Sequence, residues 1–412
     1  MKTILRWLYL ILFLLPFSLV LGIINVRLYY TDYNPQHTDV VAQLAFIKGR
    51  LQNGAGEDMQ QFFPEGYFFT HVLYGLTWVD VGLKDNAHTK QAITEARWAL
   101  EQLESVQGKG VFSAELIPAY GVFYVGWSNW LRGGILKLQA PSDRDPSEVE
   151  RYSSELTALA DAFDASETPF LQAYPSQAWP VDSTVGVAAL RLHDTLFPPQ
   201  FEATITRWIQ LAKSKLDPVT GLLPHRVDYQ TGDLIQGTRG SSQSVIQRFL
   251  PEIDPTWAQK AYPVFRDTFV STIVGIAGVR EYPLGVNGAG DVDSGPLVGG
   301  MSLSASVVTV AAAKVEGDTA LAEAVLNVGE ALGMPIEISG SKRYALGVLP
   351  TGDAFLAWAK SATPWTFTPA PSSFPTLIAT GWRLPIHAVT LIVLVMLWWL
   401  FIRRRRRLAI GG

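Results

Sequence analysis

The chain has 412 residues, 48% of them hydrophobic, and no cysteine. The missing thiols exclude a disulfide framework, cysteine metal ligands and a thiol nucleophile. Seven of the 33 basic residues lie outside two terminal apolar runs, which leaves 26 basic against 37 acidic residues between them and a formal charge of −11. That balance argues against nucleic acid as a partner, since nucleic-acid surfaces are basic.

The first apolar run extends from Trp7 to Ile24, behind Lys2 and Arg6. It approaches the roughly 20 residues that a helix needs to cross a bilayer. Residues 1–26 therefore read as a transmembrane anchor. A signal sequence is the alternative, but no small-x-small cleavage site follows. Residues 27–361 form one compositional block. Within it, apolar residues recur at helical spacing, as in Phe201, Ile205, Trp208, Ile209 and Ala212. Charged, amphipathic helices are predicted at 38–51, 87–105, 148–165, 199–215, 256–275 and 318–333. Each is followed by a second helix, beginning near 65, 118, 180, 240, 295 and 351, and several of these are richer in Gly, Ala, Ser and aromatics. Residues 362–385 are rich in Pro, Ser and Thr and read as a linker. A second apolar run, 386–402, reads as a transmembrane helix, and residues 403–412 as a basic tail. Cationic flanks stay in the cytoplasm. Both termini are then expected inside, with the middle domain extracytoplasmic, in the periplasm or outside the cell.

Six helical hairpins with amphipathic members outside and apolar members inside describe a double ring, an all-α (α/α)6 toroid flanked by two transmembrane helices. With Asp217-Pro-Val-Thr-Gly-Leu-Leu-Pro between two of the helices, residues 35 to 361 resemble the (α/α)6-toroid superfamily. It includes six-hairpin glycosidases, polysaccharide lyases, sugar epimerases and the linalool dehydratase-isomerase type. The resemblance implies a site in the mouth of the ring. The absence of cysteine departs from the last type, which is associated with active-site cysteines.

Polar, Gly-rich or Pro-rich motifs stand at the start of nearly every second helix. In a double ring these starts share one mouth, where free N–H groups favour polyhydroxylated or anionic ligands. Asp182, in the first turn after Trp179-Pro180, and Asp291, in Gly288-Ala-Gly-Asp-Val-Asp-Ser-Gly-Pro, are the acid/base candidates, because glycosidic chemistry needs two carboxyls. Asp293 is a further carboxyl candidate that can instead cap the helix that follows. Glu65 opens the second helix of the first pair, and His71 lies one turn on, as a site residue or a core histidine. Arg239, between Gly237 and Gly240, suits an anionic or hydroxylated group, with His225, Arg226 and Tyr282 nearby. Tyr174 and Trp179 can stack on sugar faces. The Asp-x-Asp pair lacks the oxygen count of a calcium site, and no nucleotide, dinucleotide or nucleophile-elbow motif is present. No metal and no cofactor are expected.

The reading is a membrane-anchored hydrolase, lyase or epimerase acting on a glycan or lipid-linked sugar. A non-catalytic envelope protein that binds glycan or a partner is the alternative. An isoprenoid-modifying dehydratase or isomerase is the second. The oligomeric state is left open.

Overall fold

A computed structural model describes residues 8, 10–29, 38–369, 374 and 381–410. Lys2, Arg6 and Trp7 lie outside them, as does most of 370–380. The fold is predominantly helical, with eight short strands among the described residues.

The helices are α1 (Leu15–Arg27), α2 (Thr38–Leu51), α3 (Ala55–Phe62), α4 (Gly66–Lys84), α5 (Thr89–Glu104), α6 (Gly121–Lys137), α7 (Pro146–Ala165), α8 (Pro180–Leu196), α9 (Glu202–Ser214), α10 (Gly240–Ile253), α11 (Pro255–Phe269), α12 (Leu303–Glu316), α13 (Thr319–Leu332), α14 (Pro350–Ser361) and α15 (Arg383–Ile410). Three short helical turns, Asn86–His88, Pro141–Asp143 and Ala345–Gly347, and a four-residue helix, Val106–Lys109, lie in connections.

The two kinds of helix differ as their sequences do. In α6, 16 of 17 residues are buried, so it has no solvent face. In α5 the buried residues are Ala92, Ala96, Ala99, Leu100 and Leu103, a single stripe. Side-chain caps start several of the one-sided helices. Asp145 accepts from Ser147 N, Asp254 from Thr256 N and Trp257 N, and Asp318 from Leu321 N. The more deeply buried helices pack in succession: α4 against α6, α6 against α8, α8 against α10, α10 against α12, α12 against α14, and α14 back against α4. At the α6–α8 crossing a Cβ on Gly126 would stand 2.9 Å from the Gly186 nitrogen, so glycine there lets two backbones touch.

Two predicted boundaries differ. The helix expected over 256–275 ends at Phe269, and the β-branched run Val270–Ile273 becomes β3, paired with β4 (Ile276–Arg280) around the left-handed Val274-Gly275 turn. The helix expected near 295 starts at Leu303, after Gly299 and Gly300 turn the chain at positive φ between β5 (Leu297–Val298) and β6 (Met301–Ser302). Ser302 then caps α12.

The stretch 362–385 is not wholly a linker, because its first residues pack into the helices. Trp365 is buried and stacks on Trp130, with ring centroids 4.5 Å apart. Its Nε1 donates to Asp80 at 2.8 Å, and Glu252 accepts from the amides of Trp365 and Thr366 at 3.0 and 2.9 Å. Arg248 pairs with Glu252 and donates to the Thr363 carbonyl. Asp80, Arg248 and Glu252 lie toward the C-terminal ends of α4 and α10, so this segment covers that end of the helices.

Two helices, Leu10–Arg27 and Arg383–Arg403, are long and apolar enough to cross a membrane, which is consistent with membrane association. They pack on each other. Asn25 Nδ2 donates to Thr390 Oγ1 at 3.0 Å, Asn25 Oδ1 faces His387 Nδ1, and Trp398 Nε1 donates to Ser18 Oγ at 3.1 Å. Buried polar groups between apolar helices are paired in this way. The pair is also seated on the domain. Arg27 donates to the Pro335 carbonyl, Arg383 to the Leu28 carbonyl, and Leu28, Trp382 and Ala331 form a small core.

Candidate functional site

The site grows from the N-terminal ends of α4, α8 and α10 and from the loop between β4 and β5. Glu65 immediately precedes α4 and is half-buried. Tyr174, on the segment before α8, donates its hydroxyl to Glu65 Oε1. Asp182 stands in the first turn of α8 and is buried. Among the described residues no protein hydrogen bond reaches its carboxyl. Burial, then the charges of Asp293 and Glu65, hold the Asp182 pKa well above the ordinary carboxylate range. Asp182 therefore holds a proton more readily than an ordinary aspartate.

Asp291 and Asp293 divide their tasks in the opposite sense to the sequence reading. Asp291 Oδ1 accepts from Asp293 N and Ser294 N at 3.1 and 3.2 Å, closing a tight turn, while its Oδ2 receives Arg239 Nη1. Despite some burial, Arg239 and these amides hold its pKa below the usual value. Asp293 caps nothing, since α12 begins ten residues later under Ser302. Its residue surface is exposed, yet desolvation, then Asp291, raise its pKa to about 6, with Glu65 adding to the same effect.

Arg239 is the last residue before α10 and is buried. Its Nε donates to Glu281 Oε1 at 2.6 Å, and Nη1 lies 3.4 Å from His225 Nε2. Arginine can only donate, so Nε2 is the acceptor and Nδ1 carries the hydrogen toward Ser242 Oγ, 2.6 Å away. Burial, then Arg239, push the His225 pKa down to about 3, so the ring is neutral. Glu281 also accepts from Ser241 N and Oγ at 3.1 and 2.8 Å. The arginine is thus committed to two internal carboxylates. Its Nη2 alone is buried with no hydrogen-bond partner among the described residues. Gly240 serves the protein's own backbone: a Cβ there would meet the Arg280 carbonyl at 2.0 Å.

The other candidates are supporting groups. Tyr282 Oη donates to the Ala289 carbonyl at 2.9 Å, and its ring lies under Arg239. Trp179 meets Tyr174 edge-on and carries the Arg226 guanidinium over its ring at 5.5 Å. His71 is elsewhere. It is buried between Tyr67 and Trp98 on the α5 side of α4, with Nδ1 2.8 Å from the Tyr67 carbonyl, and burial lowers its pKa to about 4. The helical period turns position 71 away from the end that Glu65 occupies.

Glu281 and Ser242 bind the arginine cluster together, though neither belongs to the expected set. Glu281 lies beside Tyr282 in an unmarked strand exit, and its one signal is adjacency to the Gly-rich loop. Among the described residues, no group of three or more His, Asp and Glu side chains is disposed to hold a metal ion. The cluster carries five carboxyls against the Arg239 guanidinium and, over Trp179, that of Arg226, a balance that suits a polyhydroxylated ligand and disfavours an anionic one. No family model and no curated protein matches the chain.

Proposed function

We propose that the chain is a membrane-anchored enzyme of the α/α-toroid type that cleaves or rearranges a glycan or lipid-linked sugar by proton transfer between carboxyls. The observation that carries it is the convergence of Glu65, Asp182 and Asp293, from three separate stretches of sequence, onto one another beside Arg239. Carboxyls whose environments push their proton affinities apart supply the acid and base of such a reaction. Asp182 keeps its proton and is the general acid toward the leaving oxygen. Glu65, oriented by the Tyr174 hydroxyl, accepts a proton or attacks. Asp293 faces the mouth and sustains the proton affinity of Asp182. The succession of buried helices that returns from α14 to α4 supports the toroid. The five arginines after the second apolar run support cytoplasmic termini and an extracytoplasmic domain.

The test is turnover by the purified full chain on envelope glycans and lipid-linked saccharides. Asp182→Asn and Glu65→Gln are expected to lower it by about 10²–10⁴-fold, the usual worth of a positioned acid or base, with circular dichroism unchanged. Variants that retain turnover end the proposal. Tight glycan binding without turnover makes the domain a binding module instead.

A further inference from the structure

The site and the membrane helices lie at the same end of the domain. The connections that enter the buried helices carry Glu65, Tyr174, Arg239 and the aspartate loop. The helix pair is seated on connections of the same kind. Arg27 grips the Pro335 carbonyl, in the connection from α13 into α14, and Trp382 backs the Val274-Gly275 turn, in the connection from α11 into α12. One five-residue strand, β4, joins the two places, with Ile276 at the Trp382 core and Arg280 next to Glu281. Five residues of strand span about 17 Å.

These connections also expose apolar side chains. Val298 and Val348 are 72% and 73% exposed, and Val274, Val292, Met334 and Leu349 are exposed as well. Single exposed apolar residues are ordinary, but a set gathered on one end and continuous with a membrane-crossing helix pair has an evident cover. The opposite end carries instead the polar turns Asp85–His88 and Pro141–Asp143, all of them exposed or half-exposed.

We propose that the mouth opens toward the bilayer, that its apolar rim rests in the outer leaflet, and that the ligand is an amphiphile. Its polyhydroxylated headgroup enters among the carboxyls while its hydrocarbon stays in the lipid. The leaflet part stands on the docking of the helix pair and the rim alone. The headgroup part rests on the function proposed above.

Because the chain has no cysteine, single thiols report position cleanly. Val298→Cys and Val348→Cys on the rim, and Ser142→Cys at the far end, are each labelled with an environment-sensitive fluorophore. The full chain is reconstituted in phosphatidylcholine vesicles containing lipids spin-labelled near the headgroup. Quenching at positions 298 and 348 is expected to exceed that at 142 several-fold, since apolar groups at an interface sit within the headgroup and acyl boundary. Equal quenching at all three positions overturns the inference. So does a rim label that is shielded from water but not quenched by lipid, which marks a second protein copy as the cover. Neither readout involves turnover, so failure here is distinct from failure of the acid–base assignment. For the headgroup, a lipid-linked saccharide in the same vesicles is expected to protect the rim labels from a water-soluble quencher, whereas the free saccharide is not. Equal protection by both refutes the amphiphile.

Discussion

Asp291 and Asp293 are two positions apart, yet one builds the loop and the other caps nothing. The difference has a thermodynamic signature. The Asp293 pKa rises from 3.8 to about 6 on folding, so between those values the native state binds more protons than the unfolded chain. Stability attributable to this group therefore falls as pH rises from about 4 to about 6 and is level above. Asp293→Asn removes the titration. It is expected to match wild type near pH 3 and to exceed it above pH 6 by about 1 kcal/mol, a figure reduced for the exposure of the side chain to solvent. Asp182→Asn is expected to shift stability in the same direction. Asp291→Asn runs the other way, because it weakens an acceptor of two amides and of Arg239, with an expected loss of about 1–3 kcal/mol. Thermal melts across pH distinguish the three. If Asp293→Asn melts below wild type at neutral pH, that carboxyl is structural. A substitution that stabilises the fold while removing activity is the mark of a group kept for chemistry.

At the scale of elements, the packing end opposite the site is the sharpest test. Trp365 fills the space between Trp130 and Asp80, so Trp365→Ala leaves a cavity and takes the indole donor from Asp80 Oδ1, leaving only Ser361 on its other oxygen. Chemical denaturation is expected to show a loss of about 3–5 kcal/mol. An effect below about 1 kcal/mol, that of an exposed site, would return the segment to the status of a linker. The sequence concealed this because Pro, Ser and Thr dominate the stretch, and one tryptophan does not change its composition. The hairpins were legible because α5 and α9 carry one-sided apolar stripes, whereas α6 is rich in Gly and aromatics and α8 in Ala and Val. The small sheet was not, because Val270-Ser-Thr-Ile continues the apolar pattern of α11 and differs only in its β-branching. Helix starts were legible from Pro180, Gly240 and Pro350, and with them the neighbourhood of Glu65, Asp182 and Arg239. What Arg239 does there was not legible. Its partners Glu281 and Asp291 lie 42 and 52 positions away, and only the fold reveals that the guanidinium is already occupied.

For the whole molecule, the helix pair makes the anchor and the domain one object. Asn25 and His387 meet across 362 positions. A double-mutant cycle with Asn25→Ala and His387→Ala, read by unfolding in detergent, is expected to give a coupling of about 1 kcal/mol, typical of polar contacts between membrane helices. Additive effects would mean that the helices stand side by side without holding each other. Topology is read separately by tag accessibility in intact cells: a tag after Arg407 is expected to be protected, and an exposed one contradicts cytoplasmic termini.

The pairing of α1 with α15 also imposes an order on manufacture. A ribosome adds about 5–20 residues per second, so roughly 20 to 70 s pass between the emergence of Asn25 and that of His387. Throughout that interval the Asn25 carboxamide oxygen lacks the imidazole and hydroxyl that later face it. The last helix can meet the first only after the whole intervening chain has been made. Closure of the clasp thus reports that synthesis has passed His387. A stalled or truncated product leaves the Asn25 oxygen without either partner, while its amide nitrogen still donates to the Leu21 carbonyl.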